Sequence, residues 1–206
     1  MKRNLRILAV ALLLLPPWVR PGAAAGGAPT EQIKATVDKA IVVLKDPRFK
    51  PVAKTKERRE QLKQILFARF DFNEMARRAL GANWRRRTAQ EQEEFVRLFT
   101  DLLERAYADT IESYTDEKIV YVGEKQDGNY AEVNSKILTD KGQEFTIDYK
   151  TRVFAGEWKV YDVVVENISM VNNFRSQFNR VINNSSYEEL VRRLKEKQAD
   201  LPPPKR

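Results

Sequence analysis

Apolar positions recur with the period of an α-helix through the first half of the chain. In "TEQIKATVDKAIVVLKD" one helical face carries Ile33, Val37, Ala40, Ile41 and Leu44. Two shorter amphipathic stretches follow a loop: "KERREQLKQILFARF", and "DFNEMARRALG", which has Asp71 at an N-cap position and ends at Gly81. The longest stretch, "TAQEQEEFVRLFTDLLERAYADTIESY", opens with Thr88 and Glu91 at the capping-box spacing. The segment before Lys118 is therefore predicted to be helical, with Thr30 as a plausible first N-cap.

From Lys118 the period of the apolar positions changes to that of a β-strand. The stretches "KIVYVGE", "NYAEVNSKIL", "EFTIDYKTRVF" and "WKVYDVVVE" are separated by short turns that contain glycine. In the third stretch apolar and polar side chains alternate, so one face of the sheet is apolar and the other is solvated. Helical periodicity returns from Ser169 to Asn184 and in "SYEELVRRLKEKQ". This order predicts an α+β domain, with helices packed on one face of a curved four-stranded antiparallel sheet.

The composition fits a globular protein and lacks two residue types that are common in catalytic and metal sites. The 206 residues are 42% hydrophobic and 32% charged, with no cysteine and no histidine. Disulfides, thiolate nucleophiles, cysteine-ligated metals and the most common general base are thereby excluded. We expect no catalytic residues, no metal site and no cofactor.

The N-terminus has the pattern of a secretory signal peptide. Lys2, Arg3 and Arg6 precede an unbroken apolar run at residues 7–15, and small residues such as those of "AAAGGA" follow. A membrane anchor is the alternative, but the run is shorter than the roughly 20 residues that a bilayer requires. The predicted organisation is a signal peptide at 1–25 with cleavage within 23–28, one domain at 26–200 and a polar tail at 201–206.

The mature chain is predicted to be mildly basic, so it can approach anionic surfaces. Removing the four basic residues of the leader lowers the net charge from +8 to +4. An exported protein has little access to nucleic acid, so we expect no nucleic-acid partner. The cluster Arg85, Arg86 and Arg87 is either a solvated loop or a docking surface for an acidic partner.

Three sequence blocks resemble the MlaC family, also called the toluene-tolerance family. They are "FDFNEMARRALGANW", "WKVYDVVVENISMVNNFRSQF" and "SYEELVRRLKEK", in the family's order and across nearly all of the mature chain. Two positions depart from the family pattern: Asn167 replaces a glycine, and Phe174 replaces a tyrosine. Asn167 can still adopt the left-handed backbone that a turn requires.

The resemblance implies an NTF2-like fold with an apolar cavity and a role as a periplasmic phospholipid carrier rather than an enzyme. It also implies docking to an inner-membrane ABC transporter complex with an MCE-type subunit, and to an outer-membrane lipoprotein–porin complex. Lipid carriage of this kind maintains the lipid asymmetry of the outer membrane. Phospholipid would be the ligand.

The apolar faces of the predicted elements supply the expected lipid-contact residues. They are Phe99, Leu102, Tyr107, Val133, Ile147, Tyr149, Val163, Phe174 and Phe178. Two alternatives stay open: an NTF2-like enzyme acting on a small apolar substrate through Asp162 or Asp148, and a structural interaction domain with a solid interior. The assignment of these residues depends on the register of the strands, because a slip of one residue moves a side chain to the other face.

Overall fold

A computed structural model describes residues 28–196, which form six helices and five strands. The predicted signal peptide at 1–25 and the polar tail at 201–206 lie outside the described residues. The helices are α1 (Pro29–Lys45), α2 (Thr55–Phe67), α3 (Phe72–Leu80), α4 (Ala89–Glu112), α5 (Met170–Asn184) and α6 (Tyr187–Lys195). The strands are β1 (Lys118–Asp127), β2 (Tyr130–Leu138), β3 (Glu144–Phe154), β4 (Glu157–Val165) and β5 (Ile168–Ser169).

The sheet has five strands, not the four that the sequence pattern predicted. Its order is β1-β2-β3-β4-β5, and every neighbouring pair is antiparallel. The additional strand β5 has only two residues, too few to show any alternation in the sequence. It turns back on β4 through Glu166 and Asn167, whose φ angles are 49° and 64°. Asn167 therefore keeps the left-handed turn, as expected from its tolerance of this backbone region.

The helix caps follow the sequence with one exception. Thr88 and Glu91 form the capping box that begins α4, and Asp71 accepts a hydrogen bond from the backbone N of Glu74 at the start of α3. The predicted N-cap of α1, Thr30, was wrong, because the helix begins at Pro29. Proline is favoured at this first position since its missing N–H is not needed there.

A short segment between α2 and α3 fastens the helices to the sheet. Helix α2 ends at Phe67, and Phe70 then forms a parallel bridge with Val160 of β4. The backbone N of Asp71 donates to the Val160 carbonyl at 2.8 Å, and the N of Val160 donates to the Arg69 carbonyl at 2.8 Å. Arg69 also donates to the Trp158 carbonyl at 2.7 Å and to Thr36 of α1 at 3.1 Å. One segment thus connects α1, α3 and the edge of β4.

The fully packed core of the protein is helical. It is formed by α3, the first half of α4, α5 and α6, and the rings of Phe95, Phe99, Phe174 and Phe178 are all fully buried within it. Most of these rings meet edge to face, as in the pair Phe95–Phe178 at a centroid distance of 5.6 Å. Such pairs add stabilisation beyond the area that they bury. No helix within residues 28–196 combines the length and apolar character needed to cross a membrane.

We expect Phe95→Ala to lower the free energy of unfolding by about 3–5 kcal/mol, because it leaves a cavity among closely packed rings. Phe154→Ala is the matched control, since Phe154 is 53% exposed at the end of β3. The control should change stability by no more than about 0.5 kcal/mol. Chemical denaturation followed by tryptophan fluorescence measures both, and equal losses would contradict this location of the core.

Candidate functional site

The inner face of the sheet, the face toward α1, carries four of the predicted lipid-contact residues. Val133, Tyr149 and Val163 are direct cross-strand partners on β2, β3 and β4. Ile147 lies two residues before Tyr149, so strand alternation places it on the same face. All four belong to one apolar cluster with Ile33 of α1.

The other five predicted residues lie on helices. Phe99, Leu102, Phe174 and Phe178 belong to the packed helical core, whereas Tyr107 lies at its border on α4. The two groups meet at Phe70 and Met170, which pack against both clusters. The nine residues are therefore continuous through the interior, but they do not form one surface.

The two groups differ in how tightly they are packed. Phe99, Phe174 and Phe178 have no exposed surface. Ile147 and Tyr149 are only half-buried, although they lie in the middle of the central strand. Burial nevertheless raises the pKa of Tyr149 to about 12. Val133 and Val163 on the same face are fully buried, at 0% and 8% exposure, so this face combines closely packed and half-buried positions.

The second half of α4 is also only half-buried. Tyr107 and Ile111 keep partial exposure, and burial raises the pKa of Tyr107 to about 12. Helix α4 packs against α3 and α6 but makes at most a marginal backbone approach to the sheet. Helix α1, by contrast, packs on β1 and β2.

Ion pairs join α2 to the second half of α4. Arg58 donates to Glu112 at 2.9 Å, and Arg59 reaches both Glu112 and Asp109 at 2.7 Å. Lys63 pairs with Glu104 at 2.8 Å. Burial opposes ionisation of Glu112, but the two arginines outweigh it and hold the pKa of that carboxyl below its usual range. Side chains rather than close backbone packing thus hold α2 against α4.

The two carboxylates considered for catalysis are engaged elsewhere. Asp162 accepts hydrogen bonds from the Ser169 hydroxyl at 2.6 Å and from the backbone N of Val171 at 3.0 Å, which fixes the start of α5. Asp148 accepts from the amide of Asn134 at 2.9 Å, on the outer face of the sheet. Within residues 28–196 no group of three or more carboxylates is arranged to hold a metal ion.

The arginine cluster divides into two exposed side chains and one internal one. Arg85 and Arg86 are exposed at the end of the 3₁₀ turn between α3 and α4. Arg87 instead lies over the ring of Tyr187, 4.4 Å from its centroid, and pairs with Glu91 at 3.3 Å. It therefore ties the start of α4 to α6.

Three interior residues were missed by the sequence analysis: Phe70, Tyr121 and Met170. Tyr121 lies two residues after Ile119 in "KIVYVGE", so both lie on the same face of the strand. The inner face of β1 could therefore have been recognised from the pattern. Phe70 lies between two helices and Met170 is the first residue of α5. At such positions periodicity does not predict which way a side chain points.

The family model for MlaC protein matches residues 34–196. The intermembrane phospholipid transport system binding protein MlaC of Haemophilus influenzae is 27% identical over 124 residues, which cover 58% of this chain and 58% of that protein. The chain thus spans little more than half the length of that relative. The toluene tolerance protein ttg2D of Pseudomonas putida is 24% identical over 180 residues, which cover 86% of this chain and 80% of that protein.

A solved structure has a similar fold. It is a phospholipid-binding protein from Ralstonia solanacearum, determined in complex with a phospholipid. The match has a TM-score of 0.73 and a sequence identity of 25%, and it covers 85% of this chain and 99% of that one.

We expect stability to fall between about pH 10 and pH 12. The folded protein keeps the phenols of Tyr107 and Tyr149 neutral up to a pKa of about 12, whereas in the unfolded chain they ionise near 10. Their contribution is therefore fully present below pH 10 and is lost as the pH rises toward 12. Urea unfolding at pH 8, 10, 11 and 12 measures the loss, and Tyr149→Phe should reduce it.

The matched control for this measurement is Tyr130→Phe, because Tyr130 is 47% exposed on the outer face of the sheet. It should leave the alkaline loss unchanged. Phenolate absorbance that develops fully near pH 10 in the folded protein would contradict the burial of these side chains.

Proposed function

Because this chain belongs to the MlaC family, we propose that it binds a phospholipid and carries it between membranes. The acyl chains lie between the inner face of the sheet and the second half of α4. The observation that carries this proposal is the partial exposure of Ile147 and Tyr149 on the apolar wall that they form with the buried Val133 and Val163. Tyr107 of α4 contacts the acyl chains from the other side. The packed residues Phe99, Leu102, Phe174 and Phe178 bound the apolar cavity as its floor.

Hydrocarbon burial provides the affinity. Each methylene removed from water contributes about 0.8 kcal/mol, so two chains of more than a dozen carbons exceed the cost of association of about 4–15 kcal/mol. An NTF2-like arrangement, with helices closing one side of a curved sheet, suits this purpose because the sheet supplies one continuous wall. No charged group is required at the acyl chains, and the head group remains near solvent.

Carriage is favoured over catalysis by the positions of the acidic residues. An enzyme acting on an apolar substrate would need a carboxylate at the inner wall. Asp162 caps α5, and Asp148 lies on the opposite face of the sheet. Both are explained by structural roles.

The working place of such a carrier is the periplasm. The basic and apolar leader at residues 1–25 supports export, with cleavage within 23–28. Since a long-chain lipid leaves a closed pocket slowly into water, the carrier must dock to receive and release it. Its partners are an inner-membrane ABC transporter complex with an MCE-type subunit and an outer-membrane lipoprotein–porin complex, and this traffic maintains outer-membrane lipid asymmetry.

We expect Val163→Glu to abolish lipid carriage. Val163 is 8% exposed, and a carboxylate at this position costs several kcal/mol of desolvation or must stay protonated against the acyl chains. Native mass spectrometry of the purified protein should show one intact phospholipid on the wild type and none on the variant. Val122→Glu is the matched control, since Val122 is 55% exposed on the edge strand β1.

Two outcomes would count against the proposal. Wild-type protein that carries no phospholipid when purified from the periplasm and takes up none from phospholipid vesicles would remove its basis. Equal lipid occupancy in a folded Val163→Glu variant, checked by circular dichroism, would show that Val163 does not contact the lipid.

The proposed docking surface includes Arg85, Arg86 and Arg87, with the first two as its exposed charges. Complementary charge raises the rate of encounter with an acidic partner. Replacing Arg85 and Arg86 by glutamate should slow lipid transfer between donor and acceptor complexes and weaken its salt dependence. Lipid occupancy and folding should be unchanged, and Lys141→Glu in the exposed β2–β3 turn is the control. Transfer at the wild-type rate in low and high salt would place docking elsewhere.

A further inference from the structure

Two tyrosine hydroxyls are polar exceptions within the apolar interior. The Oη atoms of Tyr107 on α4 and Tyr121 on β1 are buried and have no hydrogen-bond partner within residues 28–196. Tyr107 packs at the border of the helical core, and Tyr121 packs against the cluster on the inner face of the sheet. The two clusters meet at Phe70 and Met170, which pack against both.

Within residues 28–196, Tyr121 has no acceptor in hydrogen-bonding geometry with its Oη. Its cross-strand partner is Ser135, which is 1% exposed and whose Oγ donates to the Ile147 carbonyl at 2.8 Å. Burial is the largest of the effects that raise the pKa of Tyr121 well above its usual value, followed by the neighbouring Tyr149. The phenol is thus held neutral, as a hydrogen-bond donor.

A buried donor without an acceptor costs free energy, and a phenylalanine at the same position would avoid that cost. The ligand that compensates for it must bring acceptor atoms into the apolar region. The inner-face positions of β2, β3 and β4 carry no lysine or arginine, so these strands offer a phosphate no cationic partner, and a neutral acceptor avoids the cost of burying an anion beside them.

Ester carbonyls meet these requirements. In a diacyl glycerolipid they are neutral acceptors that lie between the charged head group and the acyl chains. We propose that Tyr107 and Tyr121 donate hydrogen bonds to the ester carbonyl oxygens of the bound lipid and so fix its depth in the protein. This inference rests on the proposed function, and it makes the protein selective for ester-linked over ether-linked lipids.

The test is competition between two lipids that differ only at these oxygens. Apoprotein is exposed to equal amounts of diester and diether phosphatidylethanolamine with the same chain length, and native mass spectrometry gives the ratio of the two complexes. Each hydrogen bond of this kind corresponds to about two- to twelvefold in affinity. The wild type should therefore favour the diester lipid, by roughly four- to 150-fold if both hydroxyls contribute.

The variants separate the two hydroxyls from general effects on the protein. Tyr107→Phe and Tyr121→Phe should each reduce the preference, and the double variant should bind both lipids equally while retaining the diether lipid at the wild-type level. Tyr130→Phe, with its phenol on the outer face of the sheet, should keep the full preference. The apo forms of the two inner variants should unfold at the wild-type temperature or above it, because an unpaired hydroxyl has been removed.

Three results would overturn this inference. One is equal binding of both lipids by the wild type, which leaves the carrier proposal intact. Another is a diester preference that survives in the double variant. The third is a lower unfolding temperature of the apo variants, which would show that the hydroxyls are paired within the protein. Failure of the wild type to bind either lipid would instead reject the carrier proposal itself.

Discussion

The parallel bridge between Phe70 and Val160 is the contact on which the arrangement of the molecule depends. Strand β4 has an edge that β5 covers only at its far end, and the segment at residues 69–71 pairs with the uncovered part. Two backbone hydrogen bonds join this segment to the strand, and Arg69 and Asp71 extend from it to α1, α3 and Arg152 of β3. Together with Asp162, which fixes the start of α5 on β4, this segment positions the helical core relative to the sheet.

The helical core and the inner face of the sheet differ in how deeply their side chains are buried. The aromatic core of α3, α4, α5 and α6 is closed and provides rigidity. The inner face of the sheet is less uniform, since Val133, Val160 and Val163 are fully buried there while Ile147 and Tyr149 are half-buried. Under the proposed function this division suits a lipid carrier, because the closed core holds the shape and the partly exposed positions are available to acyl chains.

Local sequence patterns predicted much of this architecture. Alternation in "EFTIDYKTRVF" gave the correct inner face of β3, and the spacing of Thr88 and Glu91 gave the start of α4. The substitution of asparagine at position 167 was correctly expected to preserve a turn, because the side chain tolerates positive φ. The fifth strand and the Phe70 bridge were not predicted, since two-residue and single-residue pairings leave no periodic trace.

The sequence by itself determined the chemistry that this protein can use and the faces that its elements bury. A chain without cysteine and histidine, with apolar stripes on several helices and strands, is suited to holding an apolar ligand. Only the tertiary structure decided which apolar residues pack together and which remain half-buried, because packing density depends on the distances between elements far apart in the chain. Phe99 and Tyr149 look alike in sequence, as aromatic residues on apolar faces. Phe99 is fully buried in the helical core, whereas Tyr149 is half-buried on the inner face of the sheet.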